Sequence, residues 1–241
     1  MQNAVARSRN MLMQASEKRK IEMESQRRER MNHIVECAFG LFAENGIENI
    51  SMSEIASQAE IGVASLYRYF QTKEDLAIEA AVYAWDVEAK IFEDVFTSDE
   101  YMNLSGFEQI QNLLETFQEA VVSQRSFFSF IYYFDSFITK GKVTAEKLAP
   151  YEEIVGRINS LAIDAFKKGV EDGSIAFEKS KNTVVSKAEN LEVCFTMMHS
   201  LFCLAQKIAI SGEMLSMDKT FAGRRQIEIL TNMLLASLKS S

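Results

Sequence analysis

The chain has 241 residues, 47% of them apolar and 25% charged, with one proline, ten glycines and three cysteines. This composition excludes a disordered chain, a collagen-like repeat and a disulfide scaffold, and the scarcity of helix breakers points to an all-α fold. The net charge of −8 hides an asymmetry, because residues 1–30 carry eight Lys or Arg against four Glu; a basic arm precedes an acidic body, and global charge argues neither for nor against a nucleic-acid partner.

The arm, residues 1–30, is read as a solvated, loosely ordered extension, with a helix laid along DNA as the alternative. Helical periodicity begins where it ends. Ile34, Ala38, Leu41 and Phe42 recur at three and four, and Gly46 stops the run, predicting a helix over about 30–45. Ser51-Met52-Ser53-Glu54 is a capping box opening a short helix over about 52–59. After Glu60-Ile61-Gly62, residues Val63–Phe70 have room for two turns, with small side chains first and rings last. A long helix over about 73–95 follows, with Leu76, Ala80, Tyr83, Val87 and Ile91 as its apolar stripe. Helices from Ser105 or Gly106, over about 124–139, over 150–171 with Pro150 in the first turn, and over 186–211 and 219–239 bring the total to about nine.

The pattern Ala38, Leu41-Phe42, Gly46, Ser51, Ile55-Ala56, Leu66-Tyr67-Arg68-Tyr69-Phe70, Lys73-Glu74 and Leu76 resembles the TetR family of bacterial transcriptional regulators over some 45 residues. Glu60 and Gly62 depart from it, standing where the family has a turn glycine and a capping serine. The resemblance implies a helix-turn-helix DNA-binding unit over 31–76 and an effector-binding and dimerisation domain over 77–241. It implies that Tyr67 and Tyr69 place hydroxyls on phosphates, with Lys73 adding charge, while Ser51, Met52, Gly62 and Thr72 complete the DNA-facing set. Val63, Ala64 and Ser65 would form the tip entering the major groove, and Arg68 is the side chain there able to hold a guanine through two hydrogen bonds.

Beyond residue 76 the resemblance implies a pocket for a small apolar or aromatic effector. Phe128, Tyr132, Phe195, Met198 and Phe202 are the candidate walls, with Asp135 and His199 as orienting polar groups. It implies a homodimer through the last two helices, with Leu191, Leu201, Ile227, Leu230, Leu234 and Leu238 at the interface. Such a dimer reads a palindromic operator with half-site centres about 34–36 Å apart. The alternative is a helical small-molecule-binding protein whose head no longer reads DNA.

No enzyme is expected, since the two histidines, His33 and His199, fall in separate units and no phosphate-binding or dinucleotide glycine motif is present. No cofactor or metal is expected either: Cys194 and Cys203 would lie half a helical turn apart on opposite faces and cannot share a site with His199. Phe127–Ile138 is taken as the most apolar segment, too short for a bilayer span. No membrane partner is therefore expected, and three cysteines, Cys37, Cys194 and Cys203, which cannot all pair internally, point to a reducing cytoplasm.

Overall fold

The computed structural model describes residues 2–141, 143–176, 187–212, 214, 216, 220 and 223–238. The predicted helix limits at 186, 219 and 239 lie outside the described residues. Among these residues there are ten α-helices and no β-strand: α1 Gln2–Asn45, α2 Met52–Gln58, α3 Val63–Tyr69, α4 Lys73–Phe96, α5 Asp99–Asn103, α6 Gly106–Ser123, α7 Arg125–Lys140, α8 Ala145–Asp172, α9 Lys187–Ser211 and α10 Gly223–Leu238.

The arm is not a loose tail but the first half of α1. Residues 1–30 contain neither proline nor glycine and are rich in Arg, Glu, Gln, Met and Lys, all good helix formers. The packed second half of the helix supplies the nucleus, so each further residue adds a hydrogen bond without a new nucleation cost. Residues 17–30 are exposed all round, so this stretch rests on propensity and on pairs such as Lys18–Glu22.

Local chemistry sets the head. The Ser51 hydroxyl accepts from the Glu54 amide at 3.2 Å, and the Glu54 carboxylate accepts from the Ser51 amide at 2.7 Å, closing the capping box of α2. At its other end the Ile61 amide donates to the Ala56 carbonyl and the Glu60 amide to the Ser57 carbonyl. That is a Schellman stop, which needs a left-handed residue at its centre. Glu60 occupies it at φ 53°. A side chain there costs about 1–2 kcal/mol, while glycine loses about 0.5–1 kcal/mol of extra chain entropy. Glu60→Gly is therefore expected to raise stability by about 0.5–1 kcal/mol, read as a rise in the thermal midpoint with unchanged circular dichroism.

Head and body share one apolar cluster. It runs from Ile34, Phe42, Leu66 and Leu76 through Ala84, Phe130 and Phe134 to Ile227. A smaller cluster gathers Ile110, Phe166, Cys194 and Leu238. Polar contacts add to the joint: Lys147 Nζ pairs with Asp75 Oδ1 at 2.6 Å and Lys140 Nζ with Glu48 Oε1 at 3.1 Å. Gly46, left-handed at φ 80°, ends α1 where an added Cβ would lie 3.3 Å from the Tyr133 ring of α7.

Three sequence expectations are corrected in the body. The inward stripe of α4 is Leu76, Ala77, Ala80, Ala81, Ala84, Trp85, Glu88 and Ala89, while Val87 is exposed. Pro150 lies in the second turn of α8, which starts five residues earlier behind Thr144. Its site is exposed, so the carbonyl it leaves without a donor has water. The short α5 was not foreseen; Ser98 caps it and buried Tyr101 packs edge-on against Phe96.

The helices α6 and α8 cross at glycine. A Cβ on Gly106 would collide with the backbone of Gly169 and lie 2.6 Å from the Ala165 carbonyl oxygen. The first amides of α6 are consumed there: Gly106 N donates to Asp172 Oδ2 at 2.8 Å and Phe107 N to Ser174 Oγ at 3.0 Å. Hydrogen bonds from Ser174 and from the Gly106 amide hold the Asp172 carboxyl below its ordinary range.

Candidate functional site

The head presents one outward helix. Gly62, Val63 and Ala64 are exposed at the start of α3 and Ser65 is half-buried, while Leu66 is fully buried and fixes the helix to α1 and α2. Tyr67 is 48% exposed, and Arg68, also exposed, donates from Nη2 to Ser65 Oγ at 3.0 Å. That bond holds the guanidinium beside the tip. A seven-residue helix with small side chains leading and a cation and phenol behind fits a groove about 12 Å wide.

Other members of the expected DNA-facing set are buried or already engaged within the head. Met52 is buried in the head core, because the first position of α2 points at α1 once the capping box sets the entry angle. Tyr69 is half-buried and shares a groove with Met31, Phe70, Gln71 and Lys147. Ser51 is exposed, but its hydroxyl serves the α2 cap. Thr72 caps α4: its Oγ1 accepts from the Asp75 amide at 3.1 Å and Asp75 Oδ2 accepts from the Thr72 amide at 3.0 Å. Burial weighs against ionisation of Asp75, yet hydrogen bonds from Lys147 and Thr72 outweigh it and keep the carboxyl below its usual range.

Lys73 also faces inward. Its Nζ donates to the Glu48 carbonyl at 3.3 Å and sits 5.9 Å from the centre of the Phe137 ring. Burial lowers the pKa of this ammonium, with Glu74, Glu48 and Glu54 pulling it back. Lys73 thus fastens the start of α4 to both head and body.

The body holds a cavity of about 140 Å³ between α4, α6, α7, α8 and α9. Trp85, Phe92, Phe117, Phe127 and Phe202 supply its rings, and Glu88 and Asn159 its polar side chains. The Trp85 and Phe127 rings meet edge to face at 4.9 Å, and Phe202 stacks on Trp85 at 5.7 Å. Trp85, Glu88 and Phe92 share the cavity because positions three and four apart lie on one helix face. Glu88 is 4% exposed, and burial alone pushes its carboxyl up to about 7.

Of the seven expected pocket residues, Met198 and Phe202 line this cavity. Phe128 lies behind it, in contact with the Phe117, Phe127 and Phe202 rings. Asp135 accepts from Gln206 Nε2 at 3.2 Å away from the cavity wall, and Tyr132, Phe195 and His199 are exposed. The physical reason is a rotation of α9, whose buried face is Cys194, Met197, Leu201, Ala205 and Ala209, so Phe195 and His199 point out. Trp85 stands where the fourth helix was expected to meet the pocket, whereas Glu88 and Asn159 were missed; the spacing Trp85, Glu88, Phe92 was the available signal.

The expected interface residues divide similarly. Leu201, Ile227 and Leu238 are inside the protomer core, while Leu191, Leu230 and Leu234 are half-buried. Among the described residues, the large apolar side chains that α9 and α10 turn outward are Phe195, Ile229 and Met233. By length and composition Leu191–Ser211 is apolar enough to cross a bilayer, with mean hydropathy 1.5 and 28% of that window buried, so Phe127–Ile138 is not the most apolar helix segment. It packs on α7, α8 and α10. Cys194 is buried and Cys203 exposed, on opposite faces of α9.

Residues 34–80 match the family model described as bacterial regulatory proteins, tetR family. An HTH-type transcriptional regulator of Staphylococcus aureus strain USA300 is 46% identical over 54 residues, which are 22% of this chain and 29% of the relative. The chain thus matches less than a third of that relative's length. Two solved structures share the fold over 88% of this chain and 99% of theirs. One is a transcriptional regulator of Saccharomonospora viridis in complex with choline, with 14% identity and a TM-score of 0.65. The other is a TetR-family regulator of Agrobacterium tumefaciens, with 13% identity and a TM-score of 0.63.

Proposed function

We propose that the chain, whose residues 34–80 match the tetR-family model, is a ligand-responsive, DNA-binding transcriptional repressor of that family that works as a homodimer in the cytoplasm and catalyses no reaction. The carrying observation is that the exposed helix α3 stands on a head whose core runs without a break into a body holding an apolar cavity. Residues 31–76 form the DNA-binding unit and residues 77–241 the effector and dimer domain. Val63, Ala64, Ser65, Tyr67 and Arg68 face the operator, with Gly62 admitting the backbone closely. The structure of a choline-bound protein of the same fold supports a small-molecule effector.

Two copies would meet through α9 and α10, where Phe195, Ile229 and Met233 are uncovered. A two-fold axis there pairs two α3 helices with a palindrome. An effector that favours the conformer with displaced α3 helices weakens operator binding by the factor by which the operator weakens effector binding. The route is α4, which is fastened at Lys73 and Asp75 to the head and body and carries Trp85 and Glu88 into the cavity.

The test is fluorescence anisotropy on a duplex carrying the palindrome upstream of the coding region, at two salt concentrations. Tight, salt-dependent binding that falls at least about tenfold in Tyr67→Ala is expected, since a phosphate contact positions the helix. A chain starting at Met31 is expected to bind with a shallower salt slope, by about 0.9 for each phosphate that the arm neutralises. Equal binding to a scrambled duplex would leave a helical ligand-binding protein whose head does not read DNA.

A further inference from the structure

The cavity contains a carboxylate that none of the described residues engages. Glu88 is 4% exposed, and among the described residues it makes neither an ion pair nor a hydrogen bond. A carboxylate buried without a partner costs several kcal/mol, so folded chains normally supply a cation or replace the acid. The neighbouring walls supply none. The helices α6, α7 and α9 contribute no ionisable side chain to the cavity, and α8 contributes Asn159. The charged groups on the same α4/α8 seam, Asp86, Lys90 and Arg157, pair with one another at the surface. Farther along α8, Tyr151 is a phenol that burial, with the Asp135 charge, keeps neutral, its pKa pushed up to about 12.

We propose that the cavity takes a compact aromatic or aliphatic organic cation, its positive charge set against Glu88 and its apolar part among the rings of Trp85, Phe127 and Phe202. The inference rests on the ligand-responsive reading and specifies its effector class. The chemistry of the walls agrees with it: ring faces attract a cation electrostatically, most strongly when water is excluded. Size agrees as well. A cavity near 140 Å³ is close to the ~150 Å³ that accommodates one benzene ring. Burial also raises the Glu88 acid to about 7, so the empty site is half protonated at neutral pH and a cation must displace that proton.

N-Methylpyridinium and its uncharged counterpart of the same shape, toluene, separate charge from size. Trp85 is the single tryptophan and stands in the cavity wall, so its fluorescence reports occupancy directly. At pH 8 the cation is expected to bind at least tenfold more tightly than the hydrocarbon, and Glu88→Gln to reverse that order. Between pH 6 and pH 8 the cation's affinity is expected to rise about tenfold, as the ionised fraction of an acid near 7 goes from about a tenth to about nine tenths, with the hydrocarbon unaffected. The pH comparison uses the native chain, so it stands even where the variant folds poorly. Equal affinities with no pH dependence overturn the cation but leave a ligand cavity. No change in Trp85 fluorescence with either probe at millimolar concentration overturns both.

Discussion

Gly106→Ala is expected to lower stability by at least about 3 kcal/mol, among the larger losses a single methyl group can cause. Overpacked cores usually recover part of the cost by moving the end of a neighbouring side chain. No such recourse exists here, since the new Cβ would meet the backbone of Gly169 and the Ala165 carbonyl. The α6 and α8 axes would have to separate, and the hydrogen bonds from Gly106 and Phe107 to Asp172 and Ser174 would stretch with them. For a chain of this size the thermal midpoint should fall by about 6–12 °C. A scan showing a change under 2 °C would mean that the two helices are not in contact at this crossing.

Stability should also fall as pH rises through the neutral range, opposite to the trend expected from paired carboxylates. Glu88 binds its proton more tightly in the folded state, with a carboxyl near 7 against an ordinary 4.5. Its contribution is complete below about 4.5 and is lost as pH rises to about 7. The loss amounts to roughly 2–3 kcal/mol from this one group. Asp75, held below its ordinary range by Lys147 and Thr72 against the effect of its burial, acts in the other direction and only in acid. The native chain should therefore be more stable at pH 5 than at pH 8, with a difference in thermal midpoint of about 4–12 °C. Glu88→Gln should flatten that profile. A variant as pH-sensitive as the native chain would place the titrating group elsewhere.

The head was legible because its determinants are local: a capping box, a glycine stop and a run of small then aromatic residues each act within a few positions of chain. The position of Glu60 was legible as a missing glycine, and its left-handed backbone shows what the departure costs. Less could be read where a helix is apolar on more than one side. In α9, two candidate faces differ by a rotation of about 100°, and only the packing of α7 and α10 chooses the one with Met197 and Leu201. In α4 the misreading was chemical. A glutamate in a helical pattern is ordinarily assigned to solvent, so Val87 took the place that Glu88 holds. The helical arm escaped because it has no apolar face, and hydrophobic periodicity is silent about a helix held by propensity alone.

The unbroken course of α1 gives the molecule a lever. At about 1.5 Å per residue, the stretch before Met31 extends the helix some 40 Å beyond the packed head. The half that packs lies against α4 and α7, the helices that reach the cavity. A tilt of about ten degrees at that contact, small enough for side chains to absorb, would carry the far tip through about 7 Å over such a radius. That is about two of the ~3.4 Å axial steps between phosphates on one DNA strand. A displacement of that size is large enough for a distance label on the exposed residues 17–30 to record.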